Sequence, residues 1–386
     1  MQAKAYWSAA VAAGMGLIAW RGTPLLIGLA AAFPILLFTR PSRLEAFRAG
    51  FAYYAAASWP IVPGVLHYFA PSGAVFGAVL LWALPSLLLP LACVACWRRD
   101  ARGAWWRMPL AYLLSVAPPL GLIGWACPVT AAGILFPGWE WGGLGAVVAL
   151  SALAMYHPPE VAWIAVVLAL AANVDYPGDP SPPTAWEGVN TSFDRISDPV
   201  DPVPEFRAAE CLQRMARTSS HQVIVFPESM VPRWTDATEY LWRNTLDELR
   251  AKGKTVLFGA GLPIAGTHGY RNAVLVVGRT TTAAFLERIP VPAIMWTPLA
   301  AEPGVPMHPF GPSILEVAGE RVAVLICYEQ LLAWPIVQSA VHRPTVIVGV
   351  ANDNWARGTP IPAAQRAAVT AWARLFRLPL IMAVNL

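Results

Sequence analysis

The chain has 386 residues, of which 56% are hydrophobic and only 13% are charged. Soluble proteins typically carry about twice that charged share, and the mean hydropathy is positive at +0.50, so a wholly soluble protein is excluded. The formal net charge of +4 does not come from a basic patch on a folded face, which argues against direct nucleic-acid binding.

Charged residues divide the chain into two parts. Residues 1–174 hold nine Lys or Arg and four Asp or Glu, whereas residues 175–386 hold eighteen and nineteen. Proline recurs in residues 175–184, as it does in loops and linkers. We therefore predict a polytopic membrane domain at 1–174, a Pro-rich linker at 175–184, and a water-soluble domain at 185–386.

Seven apolar segments follow one another in the first part, and they predict about seven membrane spans, each needing roughly 20 apolar residues. The loops after the second and fourth segments are rich in arginine. The positive-inside rule places those loops in the cytoplasm, and seven spans then place residue 175 outside. The segments are 6–20, 24–39, 46–69, 73–97, 106–126, 143–156 and 159–173.

Strand-like and helix-like patterns alternate in the second part, which indicates a layered α/β domain of about 200 residues. Helices are predicted at 205–217, 236–252 and 361–376. Strands are predicted near 186–191 and at 221–226, 255–258, 322–327, 345–350 and 380–384, with a hairpin formed by 273–278 and 282–287.

Two short motifs carry the candidate chemistry. A run of aliphatic residues ends at Cys327, with Tyr328 and Glu329 directly after it. Local charge decides whether a thiol ionises, so a carboxylate beside it matters. Upstream, the motif Phe-Pro-Glu-Ser places Glu228 after another predicted strand, at the end where α/β sheets build their sites. There the carboxylate can act as a general base.

Plainer interpretations exist for these residues. Cys327 can be a buried structural cysteine or form a disulfide with Cys211, and Glu228 can cap a helix. Cys93 and Cys96 have the spacing of a redox motif but lie in an apolar run, so we interpret them as inert. The six histidines have no metal-ligand spacing, and no Gly-rich phosphate loop is present; no metal or cofactor is expected.

The order of the motifs, behind a multi-span region, resembles the apolipoprotein N-acyltransferases of the nitrilase (carbon–nitrogen hydrolase) superfamily. Within that group the chain most resembles the conjugal-transfer TraB proteins. The resemblance implies an αββα sandwich on the periplasmic side of a bacterial inner membrane, with a Glu–Lys–Cys triad. It implies that Glu228 is the base and Cys327 the nucleophile. The supporting positions it implies are Tyr328, Glu329, Asn352, Asp353 and Trp355.

The sequence departs from that pattern at the lysine. At the family's offset before Val291 the chain has Glu287, followed by Arg288. Arg288 is predicted to replace the lysine as an oxyanion donor, although the two residue types are not interchangeable at a tight site. The domain is also expected to be short at its C-terminus.

Residues 290–309 form an apolar, Pro-rich loop with Ile294, Met295 and Trp296 near its centre. Beside a bilayer such a loop is predicted to act as a lid that dips into the headgroup region. The plainer alternative is a loop packed on its own domain.

Two functions remain open from the sequence. In the first, Cys327 attacks an acyl or amide carbonyl, and a thioester passes the acyl group to an amine or to water. The expected partners are then the bilayer, a phospholipid acyl donor, a protein amine acceptor and conjugation-apparatus proteins. In the second, the chain is a catalytically degenerate scaffold in an envelope transfer apparatus. A transporter is disfavoured because the apolar segments carry few charges.

Overall fold

The structure is a computed structural model that describes residues 2–69, 74–194, 201–278, 283–298, 300 and 304–386. The chain forms two compact units. The first contains Met1–Asp179, Gln330–Val337 and Gly358–Leu378; the second contains Pro180–Glu329, Gln338–Arg357 and Pro379–Leu386. Two late segments therefore belong to the first unit, whereas the sequence division assigned every residue after 184 to the second part.

The described residues contain fourteen α-helices, joined in places by short 3-10 turns. They are α1 (Gln2–Ala19), α2 (Ala32–Phe38), α3 (Arg43–Ser58), α4 (Ile61–Phe69), α5 (Ala74–Leu88), α6 (Pro90–Cys96), α7 (Ala104–Val116), α8 (Ala132–Leu135), α9 (Glu140–Leu153), α10 (Pro158–Val174), α11 (Val203–Thr218), α12 (Asp236–Ala251), α13 (Ala333–Val341) and α14 (Ile361–Phe376).

The first unit is helical, and helix α14 packs within it against α8. Gly133 on α8 permits that contact, because a Cβ at this position would lie 1.7 Å from the carbonyl oxygen of Ala371. The chain thus returns to the first unit near its end. The sequence pattern predicted the bounds of α14 but not that it packs against α8. A close contact between two helix backbones produces no hydrophobic periodicity in the sequence.

One described helical stretch, Val75–Cys96, is long and apolar enough to cross a membrane. Shorter apolar helices cover Tyr6–Ala19, Pro24–Phe38, Glu140–Leu153 and Pro158–Val174. Two predicted segments are interrupted: 46–69 breaks between α3 and α4 near Pro60, and 106–126 leaves the helix after Val116. Proline lacks the N–H that continues a helix, and Pro118 and Pro119 follow the second break. The count of seven spans therefore stays a prediction.

Two sheets form the centre of the second unit. The first has the order β1-β2-β3-β4-β5, with β1 to β3 parallel and β4 and β5 antiparallel to their neighbours. The second has the order β6-β7-β8-β9, with β7 to β9 parallel and β6 antiparallel to β7. The strands are β1 (Trp186–Gly188), β2 (Val223–Val225), β3 (Thr255–Pro263), β4 (Tyr270–Gly278), β5 (Ala283–Leu286), β6 (Leu315–Val317), β7 (Glu320–Ile326), β8 (Val346–Asn352) and β9 (Leu380–Asn385).

The two sheets share a buried core of aliphatic side chains, among them Val225, Val274, Val324 and Val348. Fully buried parallel strands are continuous apolar runs, which is why β7 and β8 were predictable. The predicted hairpin is confirmed, since Ala273 pairs with Leu286. The described residues thus contain mixed sheets with helices, and the short strand β6 is an addition that the sequence pattern did not indicate.

Helices α11 and α12 cover the face of the first sheet that points away from the second. Leu212, Trp242 and Leu246 on these helices pack with Ile224 and Phe258 of the sheet. Both helices present one apolar stripe at helical spacing, so burial of that stripe stabilises them against the sheet. This layer holds β2 and β3, and it thereby fixes the ends of these strands.

Replacing Leu246 with alanine tests this layer. Leu246 is 4% exposed, so its truncation is expected to lower the free energy of unfolding of the second unit by about 2–5 kcal/mol. The matched control is L241A on the same helix, where the side chain is 40% exposed and the expected loss is below about 1 kcal/mol. Pulse proteolysis in urea measures both, and equal losses would contradict the assigned packing.

Candidate active site

Cys327 lies directly after β7, where the strand changes into the 3-10 turn Cys327–Leu331. Its φ of +47° is in the left-handed region, which is uncommon for a residue with a Cβ. Such strain persists only where the surroundings impose it, and it is found frequently at functional sites. The thiol is buried, with 6% of the residue exposed.

Glu228 follows β2, and its carboxylate is hydrogen-bonded to the Cys327 thiol. The backbone N–H of Asn352 donates to Oε2 at 3.0 Å. A glycine allows this placement: a Cβ on Gly259 would lie 2.4 Å from the Cα of Glu228. The residues that the sequence proposed as base and nucleophile, 99 positions apart in the chain, are therefore in direct contact.

Asn272 on β4 joins Glu228 to a second carboxyl group. Its Nδ2 donates to Glu228 Oε1 at 2.7 Å and to Glu287 Oε2 at 3.0 Å. Glu287 is 1% exposed. Its other oxygen, Oε1, is buried and has no hydrogen-bond partner among the described residues. Sequence reasoning missed Asn272, although an amide directly before the apolar run of β4 was an available signal.

Arg288 points to a third carboxylate. Its backbone N–H and its Nε donate to Glu329 Oε1 at 2.8 and 3.2 Å. Its other guanidinium nitrogens donate to Gln338, to Ser339 and to the carbonyl oxygen of Val324. These contacts direct the guanidinium into the protein, so the role of oxyanion donor, which stays a prediction, would require Arg288 to leave this network.

Glu329 also fixes the turn that carries Cys327. Its Oε2 accepts from the backbone N–H of Ile326 at 3.1 Å, and its Oε1 accepts from that of Ile289 at 3.3 Å. With both Arg288 and Glu329 nearly inaccessible to solvent, removing one partner would leave a charge buried without compensation. Glu329 therefore positions Cys327 by holding backbone atoms.

The other predicted supporting residues lie near the ends of β7 and β8. Asp353 is buried, its N–H donates to the carbonyl oxygen of Asn385 at 2.8 Å, and it begins the 3-10 turn Asn354–Ala356 that contains Trp355. Asn352 Oδ1 accepts from Asn385 Nδ2 at 3.0 Å. Tyr328 is partly buried, and burial raises its pKa. Asn385, which the sequence interpretation overlooked, lies at the end of β9 and joins that strand end to the end of β8.

The predicted lid residues form a tight turn. Met295 N–H donates to the carbonyl oxygen of Val291 at 2.9 Å, and Ala293 N–H donates to that of Trp296 at 3.0 Å. Ile294, at the tip of this turn, is 37% exposed, whereas Met295 and Trp296 are half-buried. Residues 299 and 301–303 of the proposed lid lie outside the described residues, and movement of the loop stays a prediction.

Burial and charge keep the thiol protonated. Burial, followed by the negative charges of Glu228, of Asp353 and, when it is ionised, of Glu287, raises the pKa of Cys327 well above its ordinary value. Burial also raises the pKa of Glu228, although its bonds from Cys327, Asn272 and Asn352 oppose that effect. The arrangement favours attack coupled to proton transfer from sulfur to carboxylate over a preformed thiolate.

Within the described ranges no group of three His, Cys, Asp or Glu side chains is arranged to hold a metal ion. The five cysteines are free, so the alternative disulfide between Cys211 and Cys327 is wrong. The site is thus a thiol with adjacent carboxyl groups.

Comparison with known proteins finds two distant similarities, one in sequence to an acyltransferase and one in structure to an amidase. The chain is 22% identical over 305 residues to the apolipoprotein N-acyltransferase of Nitrosomonas europaea, covering 71% of this chain and 57% of that protein. An amidase structure from Nesterenkonia sp. aligns with 52% of this chain and 73% of its own, at 13% identity and a TM-score of 0.35.

A much closer relative is the conjugal transfer protein TraB of Agrobacterium fabrum. It is 35% identical over 391 residues, which cover 96% of this chain and 90% of that protein. The chain belongs to the family of TraB conjugal transfer proteins. No model of a protein family matches it.

Replacing Arg288 separates a structural role from an oxyanion role. R288A should destabilise the second unit by about 3–5 kcal/mol, because Glu329 is left buried and unpaired. R357A is the matched control, since Arg357 makes an exposed pair with Asp194 and its removal should cost less than about 1 kcal/mol. Urea midpoints from pulse proteolysis measure both. An R288A variant as stable as the unmodified protein but inactive would instead favour the oxyanion role.

The pH dependence of alkylation tests the electrostatics of Cys327. Because its pKa is raised, the thiolate fraction at pH 7 is small, and iodoacetamide should modify Cys327 at least about tenfold more slowly than the partly exposed Cys211. The rate at Cys327 should continue to rise at high pH, and in denaturant the two rates should converge. Peptide mass spectrometry measures each site. Faster modification of Cys327 at neutral pH would contradict the assignment.

Proposed function

We propose that the protein is a membrane-bound acyl-transfer enzyme that uses Cys327 as its nucleophile and Glu228 as its base. The observation that carries this proposal is the hydrogen bond between the Cys327 thiol and the Glu228 carboxylate in a water-excluded site. A thiol that is not ionised at rest needs a base within hydrogen-bond reach, and Glu228 meets that requirement.

The chemical steps balance with these two residues. Sulfur attacks the carbonyl carbon of an ester or amide while the thiol proton moves to Glu228. The tetrahedral intermediate then collapses to a thioester as the leaving alcohol or amine takes that proton from Glu228. An amine or a water molecule next attacks the thioester, Glu228 accepts its proton and returns it to sulfur, and free Cys327 is restored.

A lipid is the acyl donor that this proposal favours. The apolar stretch Val75–Cys96 and the shorter apolar helices support a membrane location, which we propose to be a multi-pass arrangement in the bacterial inner membrane. The second unit would then be an αββα domain in the periplasm. The exposed Ile294 supports a lid, with Met295 and Trp296, that admits an acyl chain from a phospholipid.

The acceptor and the biological setting follow from relatives. A distant relative is named apolipoprotein N-acyltransferase, which supports a protein amine as the acceptor. The closer relative is named a conjugal transfer protein, which supports a role in conjugative plasmid transfer beside other proteins of that apparatus. Nucleic acid is not proposed as a direct partner.

A scaffold without catalysis is the second candidate. Glu287 occupies the offset where the resemblance places a lysine, and a carboxyl there destabilises a neighbouring thiolate. This observation favours a site that has lost its chemistry and retains the fold for contacts within an envelope apparatus.

Intact-mass measurement of the protein from native membranes decides between the two candidates. The enzyme is expected to carry an adduct that hydroxylamine removes, that is absent from C327A, and that persists in the control variant C211A. The adduct mass identifies the acyl group.

The scaffold predicts the opposite pattern. If no adduct forms and C327A supports plasmid transfer at the frequency of the unmodified protein, the enzymatic proposal is wrong. Loss of transfer in C327A with normal abundance, alongside the adduct, would support it.

A further inference from the structure

Glu287 is a buried carboxyl group for which the catalytic scheme above has no use. It lies one hydrogen-bonded amide away from the base, because Asn272 Nδ2 donates to both Glu228 and Glu287. It is also close enough to Cys327 for its charge to affect that thiol. A carboxyl in this position is either an obstacle to the chemistry or a participant in it.

Ionising both of two buried carboxyl groups that are bridged by one amide costs much free energy, because like charges in a water-excluded site repel strongly. The third carboxylate, Glu329, is compensated by its ion pair with Arg288. One proton is therefore expected on the pair formed by Glu228 and Glu287.

Hydrogen-bond donors decide which of the two holds the proton. Glu228 receives hydrogen bonds from Asn272, from the backbone N–H of Asn352 and from the Cys327 thiol. For Glu287 the corresponding bond comes from Asn272 and reaches Oε2. Donors stabilise the charged form of a carboxyl group, so the charge belongs on Glu228. Burial and the charges of Glu228 and Glu329 raise the pKa of Glu287 well above its ordinary value, in the same direction.

We assign the proton on Glu287 to its Oε1 atom. Oε2 accepts from Asn272, whereas Oε1 is buried and has no partner among the described residues. A protonated Oε1 is a hydrogen-bond donor, and a buried donor left without an acceptor costs free energy. A substrate oxygen can supply that acceptor.

We propose that Glu287 acts as a neutral carboxylic acid whose Oε1–H donates a hydrogen bond to the carbonyl oxygen of the acyl donor. This inference rests on the proposed acyl-transfer function and adds the group that stabilises its oxyanion. As the sulfur–carbon bond forms, the carbonyl electron pair moves to oxygen, and the bond from Oε1–H strengthens with the charge on that oxygen. The proton stays on Glu287 throughout, while the thiol proton moves to Glu228.

Comparing two reactions of Cys327 tests the proposal. Acylation by p-nitrophenyl octanoate forms an oxyanion, whereas alkylation by iodoacetamide does not. In the full chain, E287A is expected to slow acylation by about 10²–10³-fold with little change in alkylation. E287Q retains a neutral donor and should stay within about tenfold of the unmodified protein in acylation. The exposed Glu239 gives the control E239Q, which should change neither rate.

Comparing the alkylation rate of E287Q with that of the unmodified protein shows whether Glu287 is charged in the unmodified protein. If the group is already neutral, replacing it with glutamine leaves the pKa of the thiol and the alkylation rate unchanged. If it is ionised, the replacement removes a negative charge beside sulfur and alkylation at a fixed pH accelerates; that result would overturn the proposal.

The remaining outcomes distinguish the two levels of inference. Acylation of E287A at the unmodified rate would overturn the donor role and leave the Cys327–Glu228 chemistry intact. Absence of any thioester on the unmodified protein would overturn the proposed function, while the alkylation comparison would still report whether Glu287 is charged. E287Q is nearly isosteric with the native residue and keeps a donor. Slow acylation in E287A with near-normal acylation in E287Q therefore indicates loss of the donor, not loss of folding.

Discussion

Charge balance around one buried thiol is the constraint on which the rest of the second unit depends. Three carboxyl groups, from Glu228, Glu287 and Glu329, lie close enough to act on one another electrostatically, and each is almost inaccessible to solvent. One guanidinium, that of Arg288, compensates Glu329. Among the residues that the structure describes, the carboxyl groups of Glu228 and Glu287 have no such cation, and a buried charge is unfavourable without compensation. Hydrogen bonds and protonation must therefore reduce the negative charge on these two groups.

The fold supplies those bonds through strand ends from both sheets. Glu228 follows β2, Asn272 lies on β4, Cys327 follows β7, and the Asn352 N–H comes from β8. Backbone donors and one amide can be placed accurately only because the strands themselves are fixed by a shared apolar core. The ion pair between Arg288 and Glu329 belongs to this support, since Glu329 accepts hydrogen bonds from the backbone N–H groups of Ile326, which precedes Cys327, and of Ile289.

Sequence patterns predicted the parts of this arrangement that have local signals. Buried parallel strands are apolar runs, so β7 and β8 were evident. Motifs after β7, β2 and β8 made Cys327, Glu228 and Asp353 candidates. The amides of Asn272 and Asn385 were visible in the sequence, but their hydrogen-bond partners could not be predicted, because those partners are distant in the chain. The direction of Arg288 was equally inaccessible, since adjacent residues leave an extended chain on opposite sides and nothing local says which side faces the thiol. The same limit applies to α14, whose place in the first unit depends on the close approach at Gly133.

Glu287 and Arg288 are adjacent in the chain, yet Glu287 is bonded to Asn272 and Arg288 to Glu329. This arrangement suggests how a site without an obvious lysine could still stabilise an oxyanion. A cation beside Cys327 would favour the thiolate and would stabilise an oxyanion by charge. A neutral acid can do only the second of these, through a hydrogen bond that strengthens as negative charge develops on the substrate. The site then has to keep sulfur protonated until attack, and burial together with Glu228 has that effect on the pKa of Cys327. Burial and the neighbouring carboxyl groups thus raise the pKa of the Cys327 thiol and that of the Glu287 carboxyl together, and the proposed attack by a thiol that loses its proton only during the reaction needs both shifts.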